Sequence, residues 1–230
     1  MFKTMLKNIC YKIENLFENG PKPKQQFLYT MEIAHSWLAG ASNLSQKIII
    51  LDYMMSVIRE DFKTSVMTTI FYRKEHFKDY RGKIFFPMSY CNENGERLQI
   101  YDPLNKEYIN ISLKDQCVIS IPWNRGRMKR AITEIYKREF IYDPYNHAST
   151  YYTPLNICHI EGGYHSITAG IGYSKGEITS IKLDISKSFP HLFSDGAYWY
   201  NAHTKERLYP VFDYRIAILF ELAKLKEAIK

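Results

Sequence analysis

The spacing of apolar residues changes once along this chain, near Arg81, and that change limits the folds that the chain can adopt. Before it, apolar residues recur at helical spacing, and Gly and Pro residues interrupt the pattern. After it, short segments of alternating apolar residues, with turn-forming residues between them, are typical of strands. We therefore expect an α+β fold, with a helical N-terminal portion over residues 1–80 and an α+β domain over residues 81–230.

The predicted elements follow from these two patterns. Helices are expected over residues 1–19 and 26–38, from a cap at Asn43 or Ser45 to Tyr72, at MKRAITEIYK, and at DYRIAILFELAKLKEAI. Strands are expected at KIFFPMSY, RLQIYD, EYINISL, CVISIP, TPLNICHI, EITSIKLDI, GAYWYN and RLYPV, and the Asn-Gly pair between the first two predicts a hairpin. The segment HSITAGI is predicted as a short helix or a turn.

Composition indicates the cellular compartment of the chain and the kind of partner it contacts. Its formal charge of +7 favours contact with polyanions, although abundant lysine without any such role is the alternative. No window is long and apolar enough to cross a bilayer, and the first residues do not resemble a signal peptide. Four widely separated cysteines without a CxxC pair indicate reduced thiols. We expect a cytoplasmic protein that does not bind a membrane.

The stretch IEGGYHSITAGI is the first candidate for chemistry. Gly162 and Gly163 follow a predicted strand, and glycines allow an anion to approach the main chain closely. If a helix starts near His165, its free amides would face that anion, with Ser166 as an additional donor. This pattern predicts a phosphate site. The alternative is a tight strand-to-helix turn in which His165 bonds to a neighbour.

A basic segment, IPWNRGRMKRAITEI, is the second candidate. Arg125, Arg127 and Arg130 fall at the start of a predicted helix, where positive charge opposes the helix dipole unless an anion is present. The planar guanidinium group matches phosphate oxygens. The alternative is a solvated basic face, with Trp123 filling the core.

A polar loop, YDPYNHASTYY, precedes the glycine-rich stretch. Its Asn146 and His147, together with His159, Glu161 and His165, supply nitrogen and oxygen atoms for an acid–base pair or a metal. Because no ligand spacing such as HxxxH is present, we predict no metal site.

The segment FSDGAYWYN contains an Asp-Gly pair followed by aromatic residues. Asp195 is interpreted as a turn residue that accepts from backbone amides. Tyr198 and its aromatic neighbours either fill the core or form a stacking platform.

Taken in order, VISIPWNRGRMKRAITEI, PLNICHIEGGYHSITAGI and GEITSIKLDIS resemble the core of the partition-protein and sulfiredoxin superfamily, called ParB-like. The resemblance covers about residues 117–186 and implies a mixed sheet with flanking helices, with a Gly-x-His turn that opens a helix and binds nucleotide or nucleic-acid phosphate. That superfamily commonly has arginine after the histidine, where this chain has Ser166. Arg125, Arg127 or Arg130 would then replace the missing cation.

Most of the chain also resembles an uncharacterised bacterial protein family. The motifs that carry this resemblance are Pro-Trp-x-Arg-x-Arg, Asn-His, His-Ser-Ile and Asp-Gly-x-Tyr. The resemblance implies one site, which adds Trp123, Asn124, Asn146, Asp195 and Tyr198 to the residues above.

These observations support a phosphate-recognising domain that binds nucleotide or nucleic acid. In this hypothesis Gly162, Gly163, Ser166 and the three arginines bind phosphate, while His165, His147 and Glu161 handle protons, as in a nuclease-like effector of anti-phage defence or of a mobile element. Nuclease or nucleotide-hydrolase activity is left open, and the residues identify no cofactor. The alternatives are a non-catalytic nucleotide sensor and a protein-interaction module that forms a homodimer or binds a partner through the N-terminal helices.

Overall fold

The structure, a computed structural model, describes residues 22–75, 80, 84–101 and 106–229. Within these residues it contains five α-helices, which are α1 (Pro23–Gly40), α2 (Leu44–Tyr72), α3 (Arg125–Lys137), α4 (Tyr164–Tyr173) and α5 (Tyr214–Ala228). The helix predicted over residues 1–19 lies outside the described residues. The predicted helices after it are confirmed, and HSITAGI is a helix.

In the part of the chain that the structure describes, the strands form three sheets. They are β1 (Ser89–Cys91), β2 (Arg97–Gln99), β3 (Glu107–Ser112), β4 (Cys117–Ile119), β5 (Ser149–Thr153), β6 (Ile157–Ile160), β7 (Glu177–Asp184), β8 (Leu192–Ser194), β9 (Tyr198–Asn201) and β10 (Arg207–Pro210). A mixed five-stranded sheet has the order β3-β7-β5-β6-β4, a three-stranded sheet has the order β10-β9-β8, and β1 pairs with β2 as the predicted hairpin. The protein is therefore an α+β protein, as predicted.

One hydrophobic core joins the helical portion to the rest of the chain. Phe62 of α2 contacts Phe212 edge-on, with ring centroids 6.3 Å apart, and both belong to a cluster that also contains Phe27, Trp199 and Phe220. These side chains are almost completely shielded from solvent, and burying each one stabilises the fold by about 1.5–3 kcal/mol. Residues from both sides of position 81 thus share a core, and the division into 1–80 and 81–230 stays a prediction.

The segment from position 149 to position 160 differs from its prediction. Residues that were assigned to a polar loop form β5, and TPLNICHI begins with a turn, so that β6 starts only at Ile157. β5 lies between β7 and β6, and Ser149 and Thr150 are buried there. Thr and Tyr are common in strands, but this segment lacks the alternation of apolar and polar residues that indicates a strand, because consecutive residues on both faces of β5 are buried. β8 was also missed.

Two adjacent parallel strands position the candidate site. β4 and β6 pair in parallel, with Val118 opposite Cys158. β4 leads into α3 and β6 leads into α4, so both helices begin at the same edge of the sheet. In open sheets with helical connections, ligands bind outside the carboxyl ends of the strands. The N-termini of α3 and α4 are therefore neighbours.

Candidate functional site

The glycine pair before α4 is required by close packing against the loop that precedes β5. Gly163 has φ of 72°, and a Cβ there would lie 2.2 Å from Cδ2 of His147. A Cβ on Gly162 would lie 2.5 Å from the carbonyl oxygen of Asn146. The protein's own loop, rather than an approaching anion, therefore explains why both positions need glycine.

Some backbone amides near the glycine pair are occupied and others are not. The amides of Glu161 and Gly162 donate to the Ala148 carbonyl at 2.8 and 3.0 Å, so the predicted use of the Gly162 amide for phosphate is not supported. The amides of residues 164–166 form the first turn of α4, and within the described part of the chain they reach no backbone acceptor. Among the described residues, these three amides therefore keep the unpaired donors that are typical of a helix N-terminus.

His147 and Ser166 form a partly buried chain of hydrogen bonds. Nδ1 of His147 accepts from the Asp143 amide at 3.0 Å, so the proton of the neutral ring lies on Nε2. Nε2 donates to Oγ of Ser166 at 2.9 Å, and that hydroxyl donates to the Gly163 carbonyl at 3.0 Å. The single hydroxyl proton of Ser166 is therefore used inside the turn, and Ser166 is not placed as a donor to phosphate.

The surroundings of His147 are those of a residue that stabilises the fold. It is 4% exposed and lies nearly parallel to Phe140, with ring centroids 5.2 Å apart. Burial lowers its pKa, and the nearby Asp143 carboxylate only partly offsets this effect. Because the ring is neutral and both of its nitrogens have partners, the geometry favours a role in holding the turn over the predicted role in proton transfer.

His165 connects the two helix N-termini. Its Nε2 accepts from the Asn124 amide at 3.1 Å, and Trp123 contacts the ring edge-on, with centroids 5.2 Å apart. Asn124 also caps α3 by accepting from the Arg127 amide at 2.9 Å. Burial lowers the pKa of His165, and the positive charge of Arg127 lowers it further. Because Nε2 accepts a hydrogen bond, the neutral ring carries its proton on Nδ1. No protein acceptor for that proton is found among the described residues.

The three predicted arginines lie in different places. The guanidinium of Arg127 lies over the Trp123 ring, 4.9 Å from its centroid, beside His165. Arg125 turns away and donates to the Ile70 carbonyl at 3.0 Å and to the Arg73 carbonyl, which caps the C-terminus of α2. The predicted phosphate contact of Arg125 is therefore not supported. Arg130 is exposed and follows Arg127 by three residues, so it lies on the same side of α3.

Glu161 and Asn146 lie at the edge of the site. The Glu161 carboxylate accepts from the Thr150 hydroxyl at 3.2 Å and lies 3.9 Å from Nδ1 of His159. Burial lowers the pKa of His159 to about 4, so this contact is not an ion pair at neutral pH. Asn146 is exposed, and its carbonyl lies against Gly162. The contacts described for these two residues do not include Arg127.

Asp195 and Tyr198 belong to a different part of the molecule. Asp195 lies in the turn between β8 and β9, accepts from the Ala197 and Tyr198 amides, and pairs with Lys24 at 3.0 Å. Burial raises its pKa, but these bonds outweigh that effect and the net pKa is lowered. Tyr198 stacks with Arg207 and lines a cavity of about 640 Å³. The turn interpretation of Asp195 agrees with these contacts, and the described contacts of both residues lie away from His165.

The candidate site is thus smaller than the sequence predicted. Trp123, Asn124, Arg127, His165 and the first-turn amides of α4 lie together at one sheet edge. Asn124 was predicted only from a family motif, and its role as the link between the helices could not be read from the sequence. These residues define an α+β protein in which two helix N-termini meet beside an exposed aromatic residue.

This chain belongs to the family of unknown function DUF6710, whose model matches residues 12–230. The predicted membership of an uncharacterised family is therefore confirmed. No curated protein and no solved structure matches the chain, and the resemblance to the ParB-like superfamily stays a prediction. Within the described residues, none of the helices has the length and apolar character needed to cross a membrane.

Proposed function

We propose that this protein recognises phosphate groups of nucleic acid or nucleotide through a surface at the N-termini of α3 and α4, which we call the twin-helix surface. It consists of Trp123, Asn124, Arg127, His165 and the backbone amides of residues 164–166. The observation that carries the proposal is the hydrogen bond from the Asn124 amide to His165, because it holds the two helix N-termini together.

The twin-helix surface offers several donors to one anion. The first-turn amides of α4 carry the partial positive charge of the helix N-terminus, which favours an anion by about 0.3–1 kcal/mol. Nδ1–H of His165 adds a neutral donor, and Arg127 adds a full positive charge. The net charge of +7 favours the approach of a polyanion from a distance.

Trp123 favours nucleic acid over an isolated phosphate. The side chain is 40% exposed, so part of its ring is open to a nucleobase. Stacking of one base on an aromatic ring contributes about 1–3 kcal/mol, and an arginine already stacked on that ring loses less freedom when it binds phosphate. The exposed position suits an open single strand better than a nucleotide enclosed in a cavity.

The geometry supports binding more strongly than catalysis. Of the two histidines assigned to proton transfer, His147 has both nitrogens engaged, and only His165 offers a proton to a ligand. A nuclease-like effector in bacterial defence or on a mobile element therefore needs a further catalytic group. The non-catalytic sensor needs only the twin-helix surface.

Binding is tested with a fluorescein-labelled single-stranded oligonucleotide, followed by anisotropy at low salt, with unlabelled ATP as competitor. Arg127→Gln should weaken binding about tenfold and reduce the salt slope by about one. The matched control is Arg207→Gln, because Arg207 is also an exposed arginine that stacks on an aromatic ring, 4.6 Å from the centroid of Tyr198. Equal losses in the two variants, or no salt-dependent binding by the wild type, would refute the proposal.

Catalysis is tested separately with His165→Ala. In a nuclease this change should abolish turnover of the oligonucleotide while most binding is kept. In a sensor it should weaken binding, and the wild type should show no turnover. The comparison therefore separates the two hypotheses without knowledge of the natural ligand.

A second candidate function, protein interaction through the N-terminal helices, is favoured by two exposed apolar stripes. On α1 the stripe is Tyr29, Ile33 and Trp37, and on α2 it is Ile49, Tyr53 and Val57, with each side chain at least 46% exposed. Residues four apart lie on one helix face, so each stripe is continuous. Ile33→Ser with Tyr53→Ser should convert a dimer to a monomer in light scattering, whereas a monomeric wild type would exclude a homodimer at this surface.

A further inference from the structure

Three potential metal ligands from separate segments meet beside the three-stranded sheet. Glu93 lies in the turn between β1 and β2, His191 immediately precedes β8, and His203 follows β9. One ligand atom from each residue lies within 4.8 Å of the other two. Nδ1 of His191 is 2.8 Å from Nε2 of His203 and 3.7 Å from Oε2 of Glu93.

The surrounding residues hold this cluster in place. The Tyr90 ring lies nearly parallel to the ring of His191, with centroids 5.0 Å apart. The buried Asn201 accepts from the His203 amide at 2.8 Å and donates to the Cys91 carbonyl at 2.8 Å. Asn201 therefore ties the turn that carries His203 to the hairpin that carries Glu93. Such supporting contacts orient metal ligands and raise their affinity for the ion.

We propose that Glu93, His191 and His203 bind a divalent transition-metal ion, for which Zn²⁺ is the best match. Two imidazole nitrogens and one carboxylate oxygen form a ligand set that suits Zn²⁺, with a water molecule in the fourth tetrahedral position. Nitrogens bonded to one tetrahedral Zn²⁺ lie about 3.3 Å apart, since each bond is about 2.0–2.1 Å. The two histidines need to separate by only about 0.5 Å from their present hydrogen bond.

The cluster is open enough for an ion to reach it from solvent. Glu93 and His203 are exposed, while His191 is half-buried. The ion would replace the proton that the two histidines share and would link the β1–β2 hairpin to the three-stranded sheet. This site shares no residue with the twin-helix surface, so the proposal does not depend on phosphate binding.

The test uses full-length protein that has been dialysed against a chelator and then titrated with Co²⁺ and Zn²⁺ alone. We expect one ion per chain, the visible absorption of four-coordinate Co²⁺, and its loss when Zn²⁺ is added. His203→Ala and Glu93→Gln should each weaken binding by at least about 100-fold. His35→Ala is the matched control, because His35 is an exposed histidine on α1, and it should bind as the wild type does.

Circular dichroism of each variant establishes that the fold is intact, which is expected because both substituted residues are exposed. The proposal is overturned if the wild type binds no stoichiometric ion, or if folded His203→Ala and Glu93→Gln proteins keep wild-type affinity. It is also overturned if Cys91→Ser abolishes binding while His203→Ala does not, because the ligands would then include a thiolate elsewhere.

Discussion

The substitution Gly163→Ala tests the local geometry from which the twin-helix surface is built. Gly163 immediately precedes α4 and has φ of 72°, a conformation that alanine adopts at a cost of about 1–2 kcal/mol. The new Cβ would also lie 2.2 Å from the His147 ring, which is buried and stacked on Phe140. Relief of that overlap requires movement of the ring and weakens its bond to Ser166.

The expected loss in the free energy of unfolding is the sum of these separate effects. Overpacking in a closely packed region costs about 1–3 kcal/mol, and a weakened buried hydrogen bond costs about 1 kcal/mol. Added to the backbone cost, they predict a loss of about 3–6 kcal/mol in the free energy of unfolding. Gly95→Ala is the matched control, since Gly95 has φ of 79° but no atom of the described residues lies within 4 Å of the added Cβ. Its cost should be only about 1–2 kcal/mol.

Urea denaturation followed by tryptophan fluorescence measures both losses under the same conditions. In the background of His147→Ala, where the ring is absent, the cost of Gly163→Ala should fall towards that of Gly95→Ala, and the remaining difference reflects the Asn146 carbonyl oxygen 3.2 Å from the added Cβ. If Gly163→Ala costs no more than Gly95→Ala, or if removal of the ring leaves its cost unchanged, the assigned contact between Gly163 and His147 is wrong.

Two further predictions concern buried charged or titratable groups. Burial lowers the pKa of His159 from 6.5 to about 4, so between these pH values the unfolded chain binds a proton that the folded chain does not. The free energy of unfolding should therefore fall by about 3 kcal/mol as pH decreases from 6.5 towards 4. His159→Phe should remove that part of the pH dependence in urea denaturation at pH 7 and pH 4.5, and an unchanged slope would contradict the assignment. Arg215→Met leaves Asp213, which is 11% exposed and 2.8 Å from the guanidinium, without its charge partner, so thermal and urea denaturation should show a loss of about 3–5 kcal/mol. Lys182→Met removes an exposed pair with Glu107 and should leave stability near that of the wild type; similar losses in the two variants would refute the distinction.

Local residue patterns were sufficient for most of the helices. Asn43 was one of two proposed caps for α2, and its side chain accepts from the Gln46 amide at 2.9 Å. The helical spacing before Tyr72 and the Asn-Gly hairpin near Gly95 also correspond to observed elements. These signals succeed because helix periodicity, capping and tight turns depend on residues within a few positions of one another.

Interactions between distant segments decided the candidate sites. The basic segment predicted three phosphate-binding arginines, but Arg125 caps α2 because tertiary packing brings the Ile70 carbonyl within 3.0 Å. In the same way, His147 looked like a polar loop residue, yet packing buries it against Phe140. Charge and residue type do not reveal which carbonyl or ring will lie nearby, and so neither outcome had a signal in the sequence.

The sequence by itself determined the α+β class, the two patterns of apolar spacing and the glycine turn before α4, because each depends on short-range backbone preference. Only the tertiary structure decided which groups meet. It placed His165 beside Asn124, 41 residues away in the sequence. It also brought Glu93, His191 and His203 together from three separate segments. The physical reason is that hydrogen bonds act over about 3 Å and metal–ligand bonds over about 2 Å, whereas sequence patterns carry no information on which distant residues come that close.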